Sequence, residues 1–311
     1  MTDKTLITKA LKLWFEPGDV FEIRALDAIT TDYRRPHVES GYFDYEHIDT
    51  AAKEVAKLCS YGGVYVTINP VNPDLLARAC NRMKYAGKTP ATGDGDILRR
   101  RWLLIDCDAV RPAGISSTDA EHEAALAKAR EIRDHLTSLG WPEPIMLDSG
   151  NGAQMTYRID LSSDDGGLVL RVLAALSVMS DDRVKLDVTV CNPARIWRLP
   201  GTMNCKGDST ETRPHRPARP ADSVSFHTGK ARVVSSCQYA ADPVGVGLDS
   251  EYNNIIAGQK PALSTSAVPT AGEASSIAVD RVDMEAASGG IVTEDQLMQV
   301  AGSVAGASDR Q

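Results

Sequence analysis

Long hydrophobic runs are missing from this chain. No stretch approaches about 18 consecutive apolar residues, so no membrane-spanning helix is expected. The opening MTDKTLITKALKLW lacks the apolar core of a secretory signal, and a cytoplasmic location is the expectation. Cysteine is sparse: six residues, at 59, 80, 107, 191, 205 and 237, include no CxxC pair and no regular spacing. That argues against a structural zinc site and against a disulfide framework. Aromatic residues make up only 5% of the chain, and no GxxxxGK[ST] loop occurs.

Basic residues are outnumbered as well, 34 Lys and Arg against 42 Asp and Glu, for a net charge of −8. Alone, that balance speaks against a nucleic-acid partner. Its distribution qualifies the point. Residues 221–311 hold 11 acids and 5 bases, which leaves only −2 on residues 1–220. Bases cluster there at Arg99, Arg100 and Arg101, then at Arg195, Arg198, Lys206, Arg213, Arg216 and Arg219. Local patches decide phosphate binding more than totals do.

What is present reads as α/β. DVFEIRAL and GVYVTINP have strand composition, while DTAAKEVAKLCS and NPDLLARACNRMK have helical periodicity, the second with Asn72 as cap. Thr118 and Glu121 form a capping-box pattern ahead of a helix over 119–139. From residue 101 the predicted order is β-α-β-β-α-β, that of a ferredoxin-like or RNA-recognition-motif-like unit. An α/β module over 1–98 precedes a module over 99–240, together one globular part over 1–240. Residues 241–311 are small, polar and poor in aromatics, and are expected to be a linker or disordered tail. A short amphipathic helix near TEDQLMQVAGSV is the exception, and SVSFHTGKARVVSS has strand composition.

Three segments carry chemistry. In RRRWLLIDCDAV, Asp106 and Asp108 lie two apart at the end of an apolar strand and share one face. If VKLDVTV joins the same sheet, Asp187 meets them there, and three carboxylates make a hard-oxygen site suited to Mg²⁺ or Mn²⁺. A DxD pair is also a common turn former. In DSGNGAQMTYRID, the turn Ser149, Gly150, Asn151, Gly152 either closes a hairpin or presents backbone N–H groups to phosphate oxygens. In CNPARIWRLPGTMNCKGD, Arg195 and Arg198 are embedded among Ile196, Trp197 and Leu199, and a Pro-Gly loop follows with Thr202, Asn204 and Lys206. Arginine's planar fork suits the oxygens of a triphosphate.

These three segments, in this order, resemble the archaeo-eukaryotic primase superfamily, in particular the bifunctional primase-polymerases of phages, plasmids and prophages. Asp106 and Asp108 match its first motif, SGNGAQ its second and Asp187 its third, and RLPGTMNCKG resembles the loop after the third acid. The resemblance spans roughly residues 20–220. It implies an N-terminal α/β module plus an RNA-recognition-motif-like catalytic module, and template-directed nucleotidyl transfer from NTPs or dNTPs by two-metal catalysis in replication of a mobile element. Asp106, Asp108 and Asp187 would then be catalytic and would hold two Mg²⁺ or Mn²⁺ ions. Ser149, Gly150, Asn151, Gly152, Gln154, Arg195, Arg198, Asn204 and Lys206 would bind the nucleotide. A single-stranded DNA template and a replicative helicase on a separate chain would be the partners. The family's second motif usually closes with histidine where Gln154 stands, and glutamine can donate a hydrogen bond without carrying a charge. Two other readings share these residues: a metal-dependent nuclease, and a non-catalytic replication or origin-binding protein with a degenerate primase fold.

Overall fold

Two five-stranded antiparallel sheets organise the chain in the computed structural model, which describes residues 2–221 and 290–303. The first sheet contains β1 (Val20–Ala28), β2 (His37–Asp44), β3 (Gly63–Thr67), β4 (Lys84–Tyr85) and β9 (Ile196–Arg198), ordered β4-β2-β1-β3-β9. The second contains β5 (Arg99–Ala109), β6 (Ile145–Asp148), β7 (Gly152–Ser162), β8 (Val184–Leu186) and β12 (Arg219–Pro220), ordered β12-β6-β7-β5-β8. A ribbon of β10 (Met203–Asn204) and β11 (Arg216–Pro217) lies between them in sequence. Helices α1 (Lys4–Trp14), α2 (Ile48–Val55), α3 (Asp119–Ser138), α4 (Leu168–Leu176) and α5 (Glu294–Gly302) complete it. The β-α-β-β-α-β run from β5 to β8, with spatial order β6-β7-β5-β8, is the split topology expected from the element order. Among the described residues, no helix is long and apolar enough to cross a membrane.

Local chemistry explains the elements that matter most. The α3 start is a reciprocal box: Glu121 N–H donates to Thr118 Oγ1 at 3.2 Å, and Thr118 N–H donates to Glu121 Oε2 at 2.9 Å. Its stripe of Ala125, Ala129, Ile132 and Leu136 is buried, and Gly140, at φ +82°, turns the chain out of the helix. On β5 the alternation of a strand puts Leu103, Ile105 and Cys107, all fully buried, on the face that α3 covers. Asp106 and Asp108 point the other way. Residues of both sheets and of α1 share one hydrophobic core, and the Trp102 indole N–H donates to the Trp14 carbonyl across it at 3.1 Å.

The arginine run that opens β5 does not form the open basic patch that its sequence suggests. Arg99 pairs with Asp160. Arg100 donates to the Ser163 and Cys191 carbonyls at 3.1 and 2.6 Å and faces Asp165 at 3.6 Å. Arg101 bonds Asp19 at 2.5 Å. Arg213 and Arg216 are likewise taken up by Glu121 and Asp119. These guanidiniums knit distant segments together, because their acids lie far away in sequence.

Two further expectations need correction. The helix expected over NPDLLARACNRMK is only a 3-10 turn, Pro73–Arg78. Asn72 caps it as expected, but the Tyr42 N–H captures the Ala79 carbonyl at 3.1 Å and Asn81 adopts φ +50°, which ends the winding. The linker or disordered tail expected over 241–311 is interrupted: Val292, Leu297 and Val300 belong to the main core, and α5 packs on α4. Val292 N–H donates to the Arg158 carbonyl at 2.8 Å and Gln296 Nε2 to the Gly140 carbonyl at 2.8 Å, so the segment is bolted on as well as buried. SVSFHTGKARVVSS and the rest of the expected tail lie outside the described residues.

Leu297 is fully buried, so Leu297→Ala is expected to destabilise the protein by about 2–5 kcal/mol through lost burial and a residual cavity. Urea unfolding checks this: the midpoint should fall with an unchanged m-value, whereas an unmoved midpoint would mean that α5 does not stabilise the core.

Candidate functional site

Between the two sheets lies a cavity of about 440 Å³. The first sheet contributes Leu26 and Asp27 from β1, Gly63 and Tyr65 from β3, and Arg198 from β9. The second contributes Asp106 and Asp108 from β5 and Gln154 from β7. The β10–β11 ribbon supplies Asn204, and loops supply Arg111, Ser149, Asn151 and Lys206. Eight of the expected site residues therefore converge on one space: Asp106, Asp108, Ser149, Asn151, Gln154, Arg198, Asn204 and Lys206.

The sheet register makes this convergence. On one side of β5, Asp106 pairs with Gln154 and Asp108 with Gly152. On the other side Cys107 pairs with Leu186, so the next step of the ladder brings Asp187 opposite Asp106, and the Asp187 N–H donates to the Asp106 carbonyl at 3.0 Å. Gln154, Asp106 and Asp187 thus form one cross-strand row on one face. The carboxylates themselves are splayed. Asp187 Oδ1 accepts the Thr189 N–H at 2.8 Å, and Asp108 Oδ1 lies 3.5 Å from Arg111 Nη2. Asp187 does not line the cavity. Among the described residues, no three His, Cys, Asp or Glu side chains stand assembled as a metal-binding group. The closed three-acid ligand set expected from the sequence is therefore not preformed.

Electrostatics in the row are uncompensated. The Asp106 carboxyl is pushed up to about 8, first by desolvation and next by the charge of Asp108. Gln154 opposes this by donating from Nε2 to Asp106 Oδ2 at 3.4 Å, Asp187 adds to it, and Arg198 opposes it from the other sheet.

Arg198 is the counterpart. Its guanidinium lies over the Tyr65 ring, 4.2 Å from the centroid, and donates from Nη2 to the Tyr65 hydroxyl at 2.6 Å. Gly63 makes room for it: a Cβ there would stand 2.1 Å from Arg198 Nη1, an impossible contact. Burial lowers its proton affinity, and Tyr65 and Asp106 restore part of it. Its buried Nη1 finds no partner. Three other buried atoms on this cavity are unpaired as well: Asn151 Nδ2, Gln154 Oε1 and Asn204 Oδ1. Buried polar atoms are nearly always bonded, so four orphans on residues that line one space mark it as a candidate place for a polar ligand.

The glycine turn has a different role from the phosphate cradle the sequence suggests. Gly150 N–H donates to Asp148 Oδ1 at 2.8 Å, and Gly152 N–H donates to Ser149 Oγ at 3.1 Å. Both amides and the Ser149 hydroxyl, which donates to the Gly152 carbonyl at 3.1 Å, are used inside the turn. Gly150 adopts φ +87° and packs on the Arg216 carbonyl, leaving no room for a side chain. Asp148, buried, also pairs with His122 at 2.7 Å. The turn is a rigid bracket that presents Asn151, whose Oδ1 accepts the Ser117 N–H at 3.0 Å. Arg195 falls outside the cavity and folds back on Thr189.

Sequence reasoning missed Gly63, Tyr65, Arg111 and Asp27. The Gly62-Gly63 pair at the start of β3 is a signal for close approach. Asp27 sits at φ +52° at an irregularity in β1, which only the paired strand reveals.

Asp106 supplies a pH test. In the unfolded chain its carboxyl loses its proton near 3.8, and in the fold near 8, so between those values unfolding releases a proton and stability falls as pH rises. In chelator-treated protein, thermal melts between about pH 5 and 8 should show this decline. Asp106→Asn should flatten it, and equal slopes for the two proteins would contradict the assignment. In comparisons with known proteins, no family model, no curated protein and no solved structure matches this chain.

Proposed function

We propose that this protein is a nucleotidyltransferase of the primase-polymerase type, extending or starting a strand on a single-stranded DNA template from NTPs or dNTPs. One observation carries the reading: the same cavity is lined by Asp106 and Asp108, whose charges oppose each other and are only partly relieved, and by a buried guanidinium with an unpartnered N–H. A polyphosphate accompanied by divalent cations satisfies both walls at once. A simple anion would worsen the strain on Asp106, and a cation alone would leave Arg198 Nη1 unpaired.

The donor set fits Mg²⁺ or Mn²⁺. Such ions are commonly held by one or two carboxylates plus substrate phosphates, rather than by an all-protein cage, which suits a site whose carboxylates are splayed. Asp106 and Asp108 would hold them, with Asp187 completing the row through its free oxygen. Bound there, the ions would supply positive charge to the triphosphate and lower the proton affinity of a primer 3′ hydroxyl.

The chain's own residues do the rest by position and charge. Arg198, held flat on Tyr65, would bind phosphate oxygens with no further ordering cost. Lys206 would add a mobile point charge at the rim as pyrophosphate leaves. Asn151 Nδ2 is a neutral donor for the same oxygens. Gln154 would keep Asp106 in its productive rotamer by donating to it, a role that tolerates the absence of the family's histidine. Arg111 would hold Asp108 in place. The split β-α-β-β-α-β sheet supports the fold part of the reading, that of a primase catalytic module, and a cytoplasmic setting with a separate helicase goes with it.

Primer synthesis and extension on single-stranded templates, with NTPs and dNTPs supplied separately in Mg²⁺ and in Mn²⁺, test the proposal. Wild-type protein should incorporate nucleotides, and Asp108→Ala should lose at least about 100-fold of that activity while melting normally, consistent with removal of a preorganised electrostatic group. Undiminished synthesis by Asp108→Ala would refute the site. Strand degradation without incorporation would replace the reading with the nuclease one.

A further inference from the structure

The β4 edge of the first sheet shows a second feature that a polymerase active site does not explain. Two aromatic side chains are among the large hydrophobic residues left exposed within the described residues, Tyr33 at 48% and Tyr85 at 45%. In a chain so poor in aromatics, these two stand together. Their centroids are 4.7 Å apart and their planes are tilted by 36°. His37 packs against both, 5.3 Å from each. The imidazole is itself pinned, Nε2 to Glu39 Oε1 at 2.6 Å and Nδ1 to the Arg35 carbonyl at 2.8 Å. Glu39 pairs with Tyr85 in the β2–β4 ladder, so the rings sit on a fixed floor at a sheet edge. A mutually packed and anchored pair of rings that still offers about half its surface to water points to a binding function.

The charges around it point to the partner. Arg34 and Arg35 follow Tyr33, and Lys88 follows Tyr85, while Lys84, next to Tyr85 in β4, points to the opposite face. None of these four side chains makes an ion pair or a hydrogen bond among the described residues. Elsewhere the arginines are consumed: Arg99, Arg101, Arg158 and Arg213 each face a carboxylate. Asp32 is the nearby exposed acid in sequence, and it accepts from the Thr31 hydroxyl at 3.3 Å. In a protein of net charge −8, a cluster of uncommitted cations around exposed rings is a local reversal of sign.

We propose that this edge binds single-stranded nucleic acid, with bases stacking on Tyr33 and Tyr85 and backbone phosphates meeting Arg34, Arg35 and Lys88. Every base offers a π-face, so such a surface tolerates sequence, and a duplex, whose bases already stack on one another, cannot use it. The surface gives the nucleotidyl-transfer reading a place for its template strand and rests on that reading for the strand's role. Binding itself requires neither nucleotide nor divalent ion.

The test is fluorescence anisotropy of a labelled 20-nucleotide oligothymidylate titrated with full-length protein in chelator, without nucleotide, at several salt concentrations. Wild-type protein should bind, and an unlabelled duplex of equal length should compete poorly. Tyr33→Ala and Tyr85→Ala should each weaken binding about 5- to 150-fold, while Tyr85→Phe, which keeps the ring, should retain it. Removing two phosphate contacts in Arg34→Ala/Arg35→Ala should reduce the slope of log affinity against log salt by about 1.4. The exposed positions allow each variant to be checked for a normal melting curve. No binding by wild type, equal affinity in the alanine variants, or full competition by the duplex would each overturn the proposal. Because catalytic ions and nucleotides are left out, failure here is distinct from failure of the nucleotidyl-transfer reading, which would show as no incorporation by wild type or undiminished synthesis by Asp108→Ala.

Discussion

Asp106 and Arg198 come from different sheets and line one cavity, and the desolvation that opposes charge on each is the constraint on which the site depends. Each is placed where burial opposes its charge, and each is only partly relieved by its own neighbours: Asp106 by Gln154, Arg198 by Tyr65. Like charges on Asp108 and Asp187 keep Asp106 from settling, and the unpaired Nη1 keeps Arg198 from settling. Such an arrangement is costly in an empty protein and rewarding in an occupied one. Sites that store strain of this kind are where ligands and catalysis concentrate.

The scaffold exists to hold that cavity open. β9 leaves the second sheet's neighbourhood after the 3-10 turn at Val188–Cys191 and joins β3 of the first, with Arg198 opposite Tyr65. The arginines of β5, read at first as a phosphate-binding patch, instead anchor the strand through Asp19, Asp160 and Asp165. The glycine turn is fixed by Asp148 and His122, so Asn151 is delivered without backbone freedom. Rigidity supplied from behind leaves the groups in front unsatisfied.

What the sequence made legible follows the range of the physics involved. Alternation along a strand placed Asp106 and Asp108 on one face, and the capping box set the start of α3 to the residue. The split sheet followed from the order of strands and helices. The partners that depend on long-range pairing were largely hidden. The carboxylates that neutralise the basic run are up to about 80 residues away in sequence, as with Asp19 and Arg101. The Gly63–Arg198 contact joins positions 135 apart in number, and no local rule relates them. The helix near 294 was visible as an amphipathic pattern, but its docking on α4 was not, because composition had assigned the surrounding stretch to a tail. Asp187 shows the middle case: the register brings its backbone to Asp106, while its carboxylate is diverted by a cap that only the turn geometry discloses.

Calorimetric titration of a non-hydrolysable nucleoside triphosphate into the full-length protein, with Mg²⁺ and in chelator, tests the shared-ligand account most directly. The account predicts that wild type binds well only when triphosphate and cation are both present. Arg198→Met and Asp106→Asn should each weaken that binding by about 10-fold or more, the scale of a lost charge-assisted bond. Affinity that is indifferent to Mg²⁺ and unchanged in both variants would contradict it.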